Sequence, residues 1–282
     1  MFERVGVIGV GFMGGSFALA CKESAFCKVF GVDINPEAIR KGKELGVIDE
    51  GSTRIEDLKE FDTQLVVIAT PVRTFYSIGK ALREILDESC VVSDIGSVKG
   101  HLVYALEDFL GPRFVGAHPI AGTEKAGVEN VLKGLYRGKK CIITPTERTD
   151  REAKKKVVQL WESFGSLVEE MDPYLHDHVF GAVSHLPHAV AFALMETIEA
   201  LSQNSVDLFK YPGAGFKDFT RIAASDPVMW RDIFLENSNN LDIAIEAFIN
   251  AFSRLRRLIK EKREDELTQY LRSASYKRKS LD

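Results

Sequence analysis

The chain has 282 residues, of which 45% are hydrophobic and 28% are charged, enough for one large domain or two modest ones. Its formal net charge of -4 does not suit a nucleic-acid-binding surface, which is normally strongly basic, so neither DNA nor RNA is an expected partner. The four cysteines show no metal-ligand or disulfide-framework spacing, which favours a reduced, cytoplasmic protein, and we find no apolar run of the roughly 18 residues that a membrane span needs.

Residues 1–171 alternate short β-branched runs with helical patterns. The predicted strands are Val5–Val10, Val29–Val32, Leu65–Ala69, Cys90–Ser93, Phe114–Ala117, Lys140–Ile143 and Leu167–Glu169. The predicted helices between them are 13–23, 36–45, 74–87, 98–109 and 150–164. Because parallel strands need crossover connections that are usually helical, this alternation predicts an α/β domain with a doubly wound parallel sheet.

The pattern changes after Asp172. Apolar stripes at helical spacing occupy 174–205, 227–237 and 240–262, without strand-like alternation. We therefore predict a dinucleotide-binding domain over residues 1–171 and an all-helical second domain over residues 172–282. Helices this apolar would leave a large exposed patch on a monomer, so the helical domain is expected to form a homodimer interface.

The first predicted strand runs directly into a glycine-rich loop and a helix. Gly9, Gly11 and Gly14 have the spacing G-x-G-x-x-G, with Phe12 and Met13 inside the motif. In such loops the first glycine permits a tight turn, the second lets the backbone approach a pyrophosphate, and the third allows close packing of strand and helix. The N-terminus of the following helix favours an anion. These residues are expected to bind a dinucleotide in a Rossmann-type domain.

An acidic residue ends the next predicted strand. Asp33 follows Gly9 by 24 residues (33 − 9), close to the usual distance of about 20 for a carboxylate that accepts a hydrogen bond from the adenosine ribose. This favours NAD over NADP, although Arg40 on the following helix keeps NADP open as an alternative. Thr70 and Pro71 follow another strand and are expected at the same cofactor edge.

Two polar residues follow neighbouring strands at this edge. Ser97 and His118 come just after the predicted strand ends, where doubly wound sheets bind ligands, so they are expected to be neighbours. A dehydrogenase must remove a hydroxyl proton as hydride leaves the adjoining carbon. The ordinary pKa of histidine, about 6.5, suits that base at neutral pH. Taken singly, His118 and Ser97 are equally compatible with loop-capping roles.

Four segments together resemble a known family, the prephenate and arogenate dehydrogenases of tyrosine biosynthesis. The segments are "SDIGSVKG" (93–100), "GAHPIAGTEKAG" (116–127), "SHLPHAVAFAL" (184–194) and "GAGFKDFTRIAASDPVMWRDIF" (213–234). They occur in the family's order along nearly the whole chain. The resemblance implies NAD-dependent oxidative decarboxylation of prephenate to 4-hydroxyphenylpyruvate, with conversion of arogenate to tyrosine as the alternative. Feedback by tyrosine would act at or near the active site.

The resemblance also implies roles for individual residues. His118 is expected to take the proton of the ring hydroxyl, with Ser97 beside it. Arg221 is expected to bind a substrate carboxylate, and its planar guanidinium suits that role. The remaining substrate-binding residues expected from the matching segments are His188, Thr123 and Gly215. Ionic contacts over the pocket are expected from Lys217, Glu124 and Lys125.

Three other interpretations compete. The β-hydroxyacid dehydrogenases share the glycine-rich start and a helical second domain, but they use a catalytic lysine near the domain junction, and the chain has no lysine between Asp172 and Lys210. A non-catalytic NAD-binding regulator would need the nucleotide loop alone. Finally, the segment 176–188 holds four histidines, but their spacing does not favour a metal site, and none is predicted.

Overall fold

The computed structural model describes residues 2–24, 27–202 and 206–281. The strands are β1 Arg4–Ile8, β2 Lys28–Val32, β3 Glu50–Ser52, β4 Leu65–Ile68, β5 Val91–Asp94, β6 Phe114–Pro119, β7 Lys140–Thr144 and β8 Leu167–Glu170. The α-helices are α1 Phe12–Ser24, α2 Pro36–Glu44, α3 Phe75–Ile85, α4 Gly100–Leu110, α5 Arg151–Ser163, α6 Pro173–Phe180, α7 Leu186–Ser202, α8 Ala214–Thr220, α9 Pro227–Glu236, α10 Ser238–Lys260 and α11 Glu264–Lys279.

The strands form one eight-stranded sheet in the order β3-β2-β1-β4-β5-β6-β7-β8. From β1 the chain moves outward through β2 to β3, and it then returns to place β4 on the other side of β1. The order therefore reverses between β1 and β4, and the crevice at such a reversal is where doubly wound sheets bind ligands. The predicted α/β architecture of a Rossmann-type sheet followed by helices is confirmed.

Helices cover both faces of the sheet and enclose two apolar cores. On one face Phe17 of α1 packs against Trp161 of α5 with ring centroids 5.4 Å apart, and Tyr136 contacts the same indole at 5.0 Å. On the other face α3 and α4 supply buried side chains that include Phe75 and Leu102. Burial on both faces explains why the central strands are continuous apolar runs.

The prediction of a wholly parallel sheet is wrong at one pair of strands. β6 and β7 are antiparallel, with Gly116 opposite Thr144 and Pro119 opposite Cys141. Parallel neighbours need a long crossover that is usually helical. The segment between these two strands contains only the short 3-10 turn Val128–Asn130 and no α-helix, so the chain returns in the opposite direction.

Several elements differ from the sequence prediction. β3, α8 and α11 were not predicted, because β3 is three residues long and polar, α8 is seven residues long, and α11 has no buried face. The predicted helix over 174–205 is interrupted by a π-helical turn, Gly181–His185, between α6 and α7. The end of that prediction, 203–205, lies outside the described residues.

One helix meets the length and composition of a membrane span, contrary to the sequence expectation. Pro173–Ser202 contains an 18-residue window of mean hydropathy 1.2, of which 22% is buried in the single chain. Such a helix is weak support for a membrane, because an apolar helix that packs against another protein passes the same test.

The four cysteines are all unpaired and buried.

Candidate active site

The glycine-rich loop has the conformation that its sequence predicts. Gly9 has a φ of +98°, and a Cβ there would lie 2.6 Å from the carbonyl oxygen of Ala69. A Cβ on Gly14 would lie 2.0 Å from the carbonyl oxygen of Gly9, whereas a Cβ on Gly11 would meet nothing within 4 Å. Gly9 and Gly14 are therefore required by the fold itself, and Gly11 leaves open space at the start of α1, where an anion is favoured.

Asp33 lies at the end of β2 and organises the same loop. One carboxylate oxygen accepts the N–H of Val10 at 2.8 Å, and the other accepts the N–H of Asn35 at 2.9 Å. Asp33, Gly11 and Lys41 are among the residues that line a cleft of about 270 Å³. The carboxylate is thus held at the mouth of a cavity next to the glycine loop, where the ribose of a dinucleotide fits the donor and acceptor set.

Arg40 is not free to bind a 2′-phosphate. Its guanidinium forms ion pairs with Glu37, at 2.6 Å, and with Glu44 on the same helix. These two carboxylates raise the pKa of Arg40 further and fix the side chain along α2. The cleft is lined by three carboxylates, those of Asp33, Glu37 and Glu129, against the one ammonium of Lys41, so its net negative charge would repel a second phosphate. The arrangement favours NAD over NADP.

The other predicted cofactor residues surround the same switch point. Phe12 is buried at the start of α1, and the carbonyl of Met13 accepts the hydroxyl of Tyr136 at 3.0 Å. Thr70 follows β4, and its hydroxyl lies 2.7 Å from that of Thr74. Pro71 precedes the first turn leading into α3. All four lie at the carboxyl edge of β1 or β4, as the sequence predicts.

His118 is the last residue but one of β6. It therefore lies inside the strand and not after it, because the strand continues to Pro119. The side chain is 8% exposed. Its Nδ1 is 2.8 Å from Nε2 of His176 on α6, and the ring of Phe180 stands edge-on at a centroid distance of 4.9 Å. Ser97 is half-buried in the segment between β5 and α4, and no hydrogen bond joins it to His118 within the described ranges.

A buried polar network lies behind His118. Lys99 is 1% exposed, and its ammonium forms an ion pair with Asp94. The backbone N–H of Lys99 donates to Oδ1 of Asp177 at 2.8 Å. Asp94 also accepts the N–H groups of Gly96 at 2.8 Å and of Ala117 at 3.2 Å. The ends of β5 and β6 are thereby tied to α6.

Burial sets the protonation states of this network. It lowers the pKa of His118 well below its ordinary value, and the nearby His176 and Lys99 act in the same direction. Burial also lowers the pKa of His176 to about 2. It raises the pKa of Asp177 to about 6, an effect that the N–H and the charge of Lys99 oppose. At neutral pH both imidazoles are uncharged and Asp177 is ionised, so His118 is ready to accept a proton.

An aromatic wall lies on the helical side. His188 stacks on Trp230 with ring centroids 3.5 Å apart, and its Nδ1 donates to the carbonyl of Ser184 at 2.9 Å. Burial lowers the pKa of His188. Trp230 Nε1 and His185 Nε2 are buried and have no hydrogen-bond partner among the described residues. Both atoms are enclosed by protein, so the face of this wall that a ligand can meet is the stacked pair His188 and Trp230.

Arg221 reaches toward the sheet edge from the turn after α8. Its Nη1 lies 2.6 Å from Oε2 of Glu124, which is 97 residues away in the chain and belongs to the loop after β6. The Arg221 side chain is 59% exposed, so its charge is accessible. Glu124 engages Nη1, which leaves the remaining N–H groups of the guanidinium to bind a second carboxylate.

The remaining predicted residues are near the surface. The hydroxyl of Thr123 accepts a hydrogen bond from the N–H of Lys125 at 3.2 Å. Gly215 is exposed, and a Cβ added to it would meet nothing within 4 Å. Of the three ionic contacts expected over the pocket, the structure forms that of Glu124; Lys125 and Lys217 have no ion pair within the described part of the chain.

Sequence reasoning missed the groups behind His118. Lys99 belongs to a segment that it singled out, and His176 was considered only as a metal ligand. Trp230 lies in the segment 213–234, whose sequence indicates no role for it. Across residues 2–24, 27–202 and 206–281, no three His, Cys, Asp or Glu side chains are placed to share a metal ion.

Comparison with known proteins identifies the family. The description "Prephenate dehydrogenase, nucleotide-binding domain" matches residues 17–170, and "Prephenate dehydrogenase, dimerization domain" matches residues 172–273. The prephenate dehydrogenase of Bacillus subtilis is 33% identical over all of this chain and 76% of its own length. The cyclohexadienyl dehydrogenase of Zymomonas mobilis is 31% identical over all of this chain and 97% of its own.

Solved structures agree. The prephenate dehydrogenase from A. aeolicus in complex with hydroxyphenyl propionate and NAD+ is 56% identical, with a TM-score of 0.96 over 100% of this chain and 99% of that one. The Synechocystis arogenate dehydrogenase has the same fold, with a TM-score of 0.82 at 23% identity over 99% and 100% of the two chains. The resemblance found in the sequence is confirmed: the chain belongs to the prephenate dehydrogenase family.

Proposed function

We propose that this protein is an NAD-dependent dehydrogenase that oxidatively decarboxylates prephenate to 4-hydroxyphenylpyruvate. The family supports the coarser assignment, an oxidoreductase of tyrosine synthesis. The observation that carries the finer one is His118: a buried, neutral imidazole at the sheet edge, with one ring nitrogen engaged by His176 and the other left for a ligand. That is the arrangement a base needs to remove a hydroxyl proton.

The nucleotide site supports NAD as the cofactor. Gly9, Gly11 and Gly14 would receive the pyrophosphate, and Asp33 would accept the ribose hydroxyls. Arg40 is occupied by two carboxylates of its own helix. NAD+ also appears in the 56% identical relative. When bound, NAD+ supplies the hydride acceptor.

The chain's own residues provide the remaining chemistry. As C4 of the cyclohexadienol ring gives up its hydride, His118 takes the proton of the C4 hydroxyl and a carbonyl forms at that carbon. Prephenate is a dianion, so the accessible guanidinium of Arg221 would bind one of its carboxylates. The half-buried His188, stacked on Trp230, would line the substrate pocket. Loss of the ring carboxylate as CO₂ leaves its bonding electrons in the ring and makes it aromatic, and the resulting phenolate oxygen can take back the proton from His118. Aromatisation makes the overall reaction effectively irreversible.

The side-chain environment favours prephenate over arogenate as the substrate. Arogenate carries an ammonium group, which would call for a free carboxylate close to the carboxylate-binding groups. Glu124, which approaches Arg221, is already paired with it at 2.6 Å. His188 and Trp230 carry no negative charge. A keto acid side chain therefore fits this set of groups better than an amino acid side chain does.

The test is NADH absorbance with purified protein, NAD+ or NADP+, and either prephenate or arogenate. We expect turnover with prephenate and NAD+. The His118→Asn variant should lose about 10²–10⁴ in kcat while binding NAD+ as the parent does. His178→Asn is the matched control, because His178 is an exposed histidine on the same helix as His176. Faster turnover with arogenate would reverse the substrate assignment.

A non-catalytic NAD-binding regulator is the alternative from another class. It predicts NAD+ binding without turnover in any of the four combinations, and His118 would then be a structural residue. The buried base favours the enzyme, since a binding module has no need of a neutral imidazole held at the sheet edge. Feedback by tyrosine, if present, is expected to compete with prephenate; non-competitive inhibition would place it elsewhere.

We also propose a homodimer formed by the helical region, with the domain boundary between residues 171 and 172. α10 exposes Phe248, Ile249 and Phe252 by 38%, 55% and 59%, and Val183, in the π-helical turn between α6 and α7, is 66% exposed. Exposed large apolar side chains concentrated on one helix are typical of interfaces. The matching family description is a dimerization domain. Light scattering should give twice the chain mass, and a value of 31.5 kDa at micromolar concentration would contradict the dimer.

A further inference from the structure

His118 is the first member of a chain of three buried side chains. Its Nδ1 lies 2.8 Å from His176 Nε2, and His176 Nδ1 lies 2.8 Å from Oδ1 of Asp177. His176 is fully buried, and Asp177 is 3% exposed. The two partners are consecutive in α6, whereas His118 is on β6, so the chain crosses from the sheet edge into the helical part of the molecule.

The carboxylate fixes where each proton lies. An ionised Asp177 can only accept, so His176 must carry its proton on Nδ1 and present a bare Nε2. That bare nitrogen can only accept in turn, so His118 must carry its proton on Nδ1. The Nε2 of His118 is then left with a free lone pair. No described residue hydrogen-bonds this nitrogen, and it is not among the enclosed, unpaired atoms.

The opposite arrangement is disfavoured at both contacts. If His118 carried its proton on Nε2, two lone pairs would face each other across 2.8 Å. Reversing His176 as well would place its Nδ1 lone pair against the Asp177 carboxylate, also at 2.8 Å. In a buried site, repulsion of this kind is weakly screened. One pattern of protons therefore satisfies the whole chain.

The packing around the two imidazole rings keeps them in these orientations. Phe180 packs against both imidazoles, with centroids 4.9 Å from His118 and 4.5 Å from His176. Asp177 approaches the start of α4 so closely that a Cβ on Gly100 would lie 2.5 Å from its Oδ2. The rings and the carboxylate are thus held by packing as well as by hydrogen bonds.

The charged groups around the chain balance one another. Lys99 faces both imidazoles and Asp177, and it is paired with Asp94. His185 also faces all three members, and His101 acts on Asp177 from α4. Asp177 is the carboxylate that contacts the chain directly, through His176, whereas Asp94 is paired with Lys99.

We infer that His176 and Asp177 are positioning residues that hold His118 in the tautomer with a free Nε2 and stabilise the imidazolium formed when His118 takes the substrate's hydroxyl proton. The inference rests on the proposed role of His118 as the base. The alternative is purely structural: Asp177 caps the N-terminus of α4 by accepting the Lys99 N–H at 2.8 Å, and His176 only fills space.

Two variants of His176 separate these possibilities. In His176→Gln the longer side chain can bring an amide oxygen to the place of Nε2 and accept from His118, whereas the shorter side chain of His176→Asn cannot reach it. Both are polar and smaller than histidine, so their effects on packing are comparable. Positioning predicts that Asn loses about 10²-fold or more in kcat, with little change in the KM for NAD+, and that Gln recovers a substantial part of the loss. Equal activities would contradict it.

Asp177→Asn isolates the charge. The two described hydrogen bonds to the Asp177 carboxylate end on the same atom, Oδ1, so an asparagine oxygen there can keep the cap of α4 and the bond from His176. A structural cap predicts unchanged kcat. The inference predicts a fall of about tenfold or more at neutral pH, because the imidazolium of His118 loses its counter-charge. Circular dichroism and NAD+ affinity of this variant check that the fold is retained.

A readout without turnover keeps this inference apart from the proposed function. Nitrogen-15 NMR of the histidine rings, assigned with the His118→Asn variant, reports which nitrogen of His118 carries the proton. We expect Nδ1–H in the parent and in His176→Gln, and a shift to Nε2–H in His176→Asn. A parent enzyme with Nε2–H would overturn the inference even if it is fully active, whereas inactivity on every substrate with the expected tautomer would overturn the proposed function alone.

Discussion

Substituting alanine at two glycines of the nucleotide loop should separate cofactor binding from folding. A Cβ on Gly11 meets no protein atom within 4 Å, whereas a Cβ on Gly14 would lie 2.0 Å from the carbonyl oxygen of Gly9 and 2.9 Å from the Cβ of Ala69. Gly11→Ala should therefore fold as the parent does, and its free energy of unfolding should rise by about 0.4–1 kcal/mol because its unfolded chain is less flexible. Gly14→Ala should lose about 1–3 kcal/mol or more, because backbone must move.

The effect of Gly11→Ala should appear in NAD+ binding and not in folding. A methyl group on Gly11 stands where the pyrophosphate must approach the backbone, and losing two charge-assisted hydrogen bonds of about 1.5 kcal/mol each weakens NAD+ binding roughly a hundredfold. At an NAD+ concentration of about 100 times the parent's Kd, binding stabilises the parent by about 2.7 kcal/mol but the variant by only about 0.4 kcal/mol.

The assay is chemical unfolding of the parent and both variants, with and without NAD+. Without NAD+, Gly11→Ala should be at least as stable as the parent, and NAD+ should stabilise it by only about 0.4 kcal/mol. Gly14→Ala should be destabilised even without NAD+. If Gly11→Ala were stabilised by NAD+ as strongly as the parent, the dinucleotide would not approach Gly11, and the assignment of this loop would be wrong.

Two further predictions concern the substrate and acid stability. Arg221→Gln should raise the KM for prephenate by about 10–100-fold with little effect on the KM for NAD+, while Arg231→Gln, which alters another exposed, ion-paired arginine, should change neither. On acidification from neutral pH to about pH 5, His176 and His185 become protonated in the unfolded chain. They stay unprotonated in the folded protein, because their folded pKa values are about 2 and about 4. Asp177, with a folded pKa of about 6, acts in the opposite sense, since it takes up its proton in the folded state first. The unfolded state therefore binds about one proton more than the folded state, so these three groups should lower the free energy of unfolding by about 1.4 kcal/mol for each pH unit of acidification. Urea titration at several pH values measures this slope. A free energy of unfolding that does not change with pH would contradict the burial of these groups in these charge states.

The parts of the fold that local sequence encodes were predictable. Seven of the eight strands follow from their β-branched runs, and the nucleotide loop follows from glycines whose required conformations depend only on nearby backbone. Gly14 illustrates this, since a Cβ there would lie 2.0 Å from the carbonyl oxygen of Gly9, only five residues earlier in the chain. Glu50–Ser52 was not predicted, because a three-residue polar strand carries no alternation of apolar residues.

The direction of β7 was not predictable in the same way. The apolar run at Lys140–Thr144 indicates a buried strand but not its orientation, because the same pattern suits parallel and antiparallel neighbours. The orientation depends on the connection from β6, whose lack of a helix is the relevant signal. A polar connection of about twenty residues without helical periodicity argues against a parallel crossover, and that criterion was available in the sequence.

The candidate site was predictable to the extent that its residues follow strands. His118, Ser97 and Asp33 were located by the rule that ligands bind at the carboxyl edge of a parallel sheet. The partners of His118 were not, because the bond to His176 spans 58 residues and joins a strand to a helix of the other region. Helical spacing shows that His176 and His178 face different directions, but it does not show what either of them faces.

The buried charges at this junction are difficult to explain by stability alone. Lys99 and Asp94 are 1% exposed, and Asp177 is 3% exposed. Removing ions from water costs several kcal/mol per ion, and an apolar replacement of a buried ion pair is often neutral or stabilising. The backbone N–H donors at Gly96 and Ala117 reduce this cost without removing it. Lys99 contacts Asp94 through its ammonium and Asp177 through its backbone N–H. These two contacts set the distance between the sheet edge and α6. His176 contacts His118 across that same distance. A chain selected for stability alone would have little reason to keep so polar a core at this position, whereas a chain that must hold one imidazole in one protonation state does.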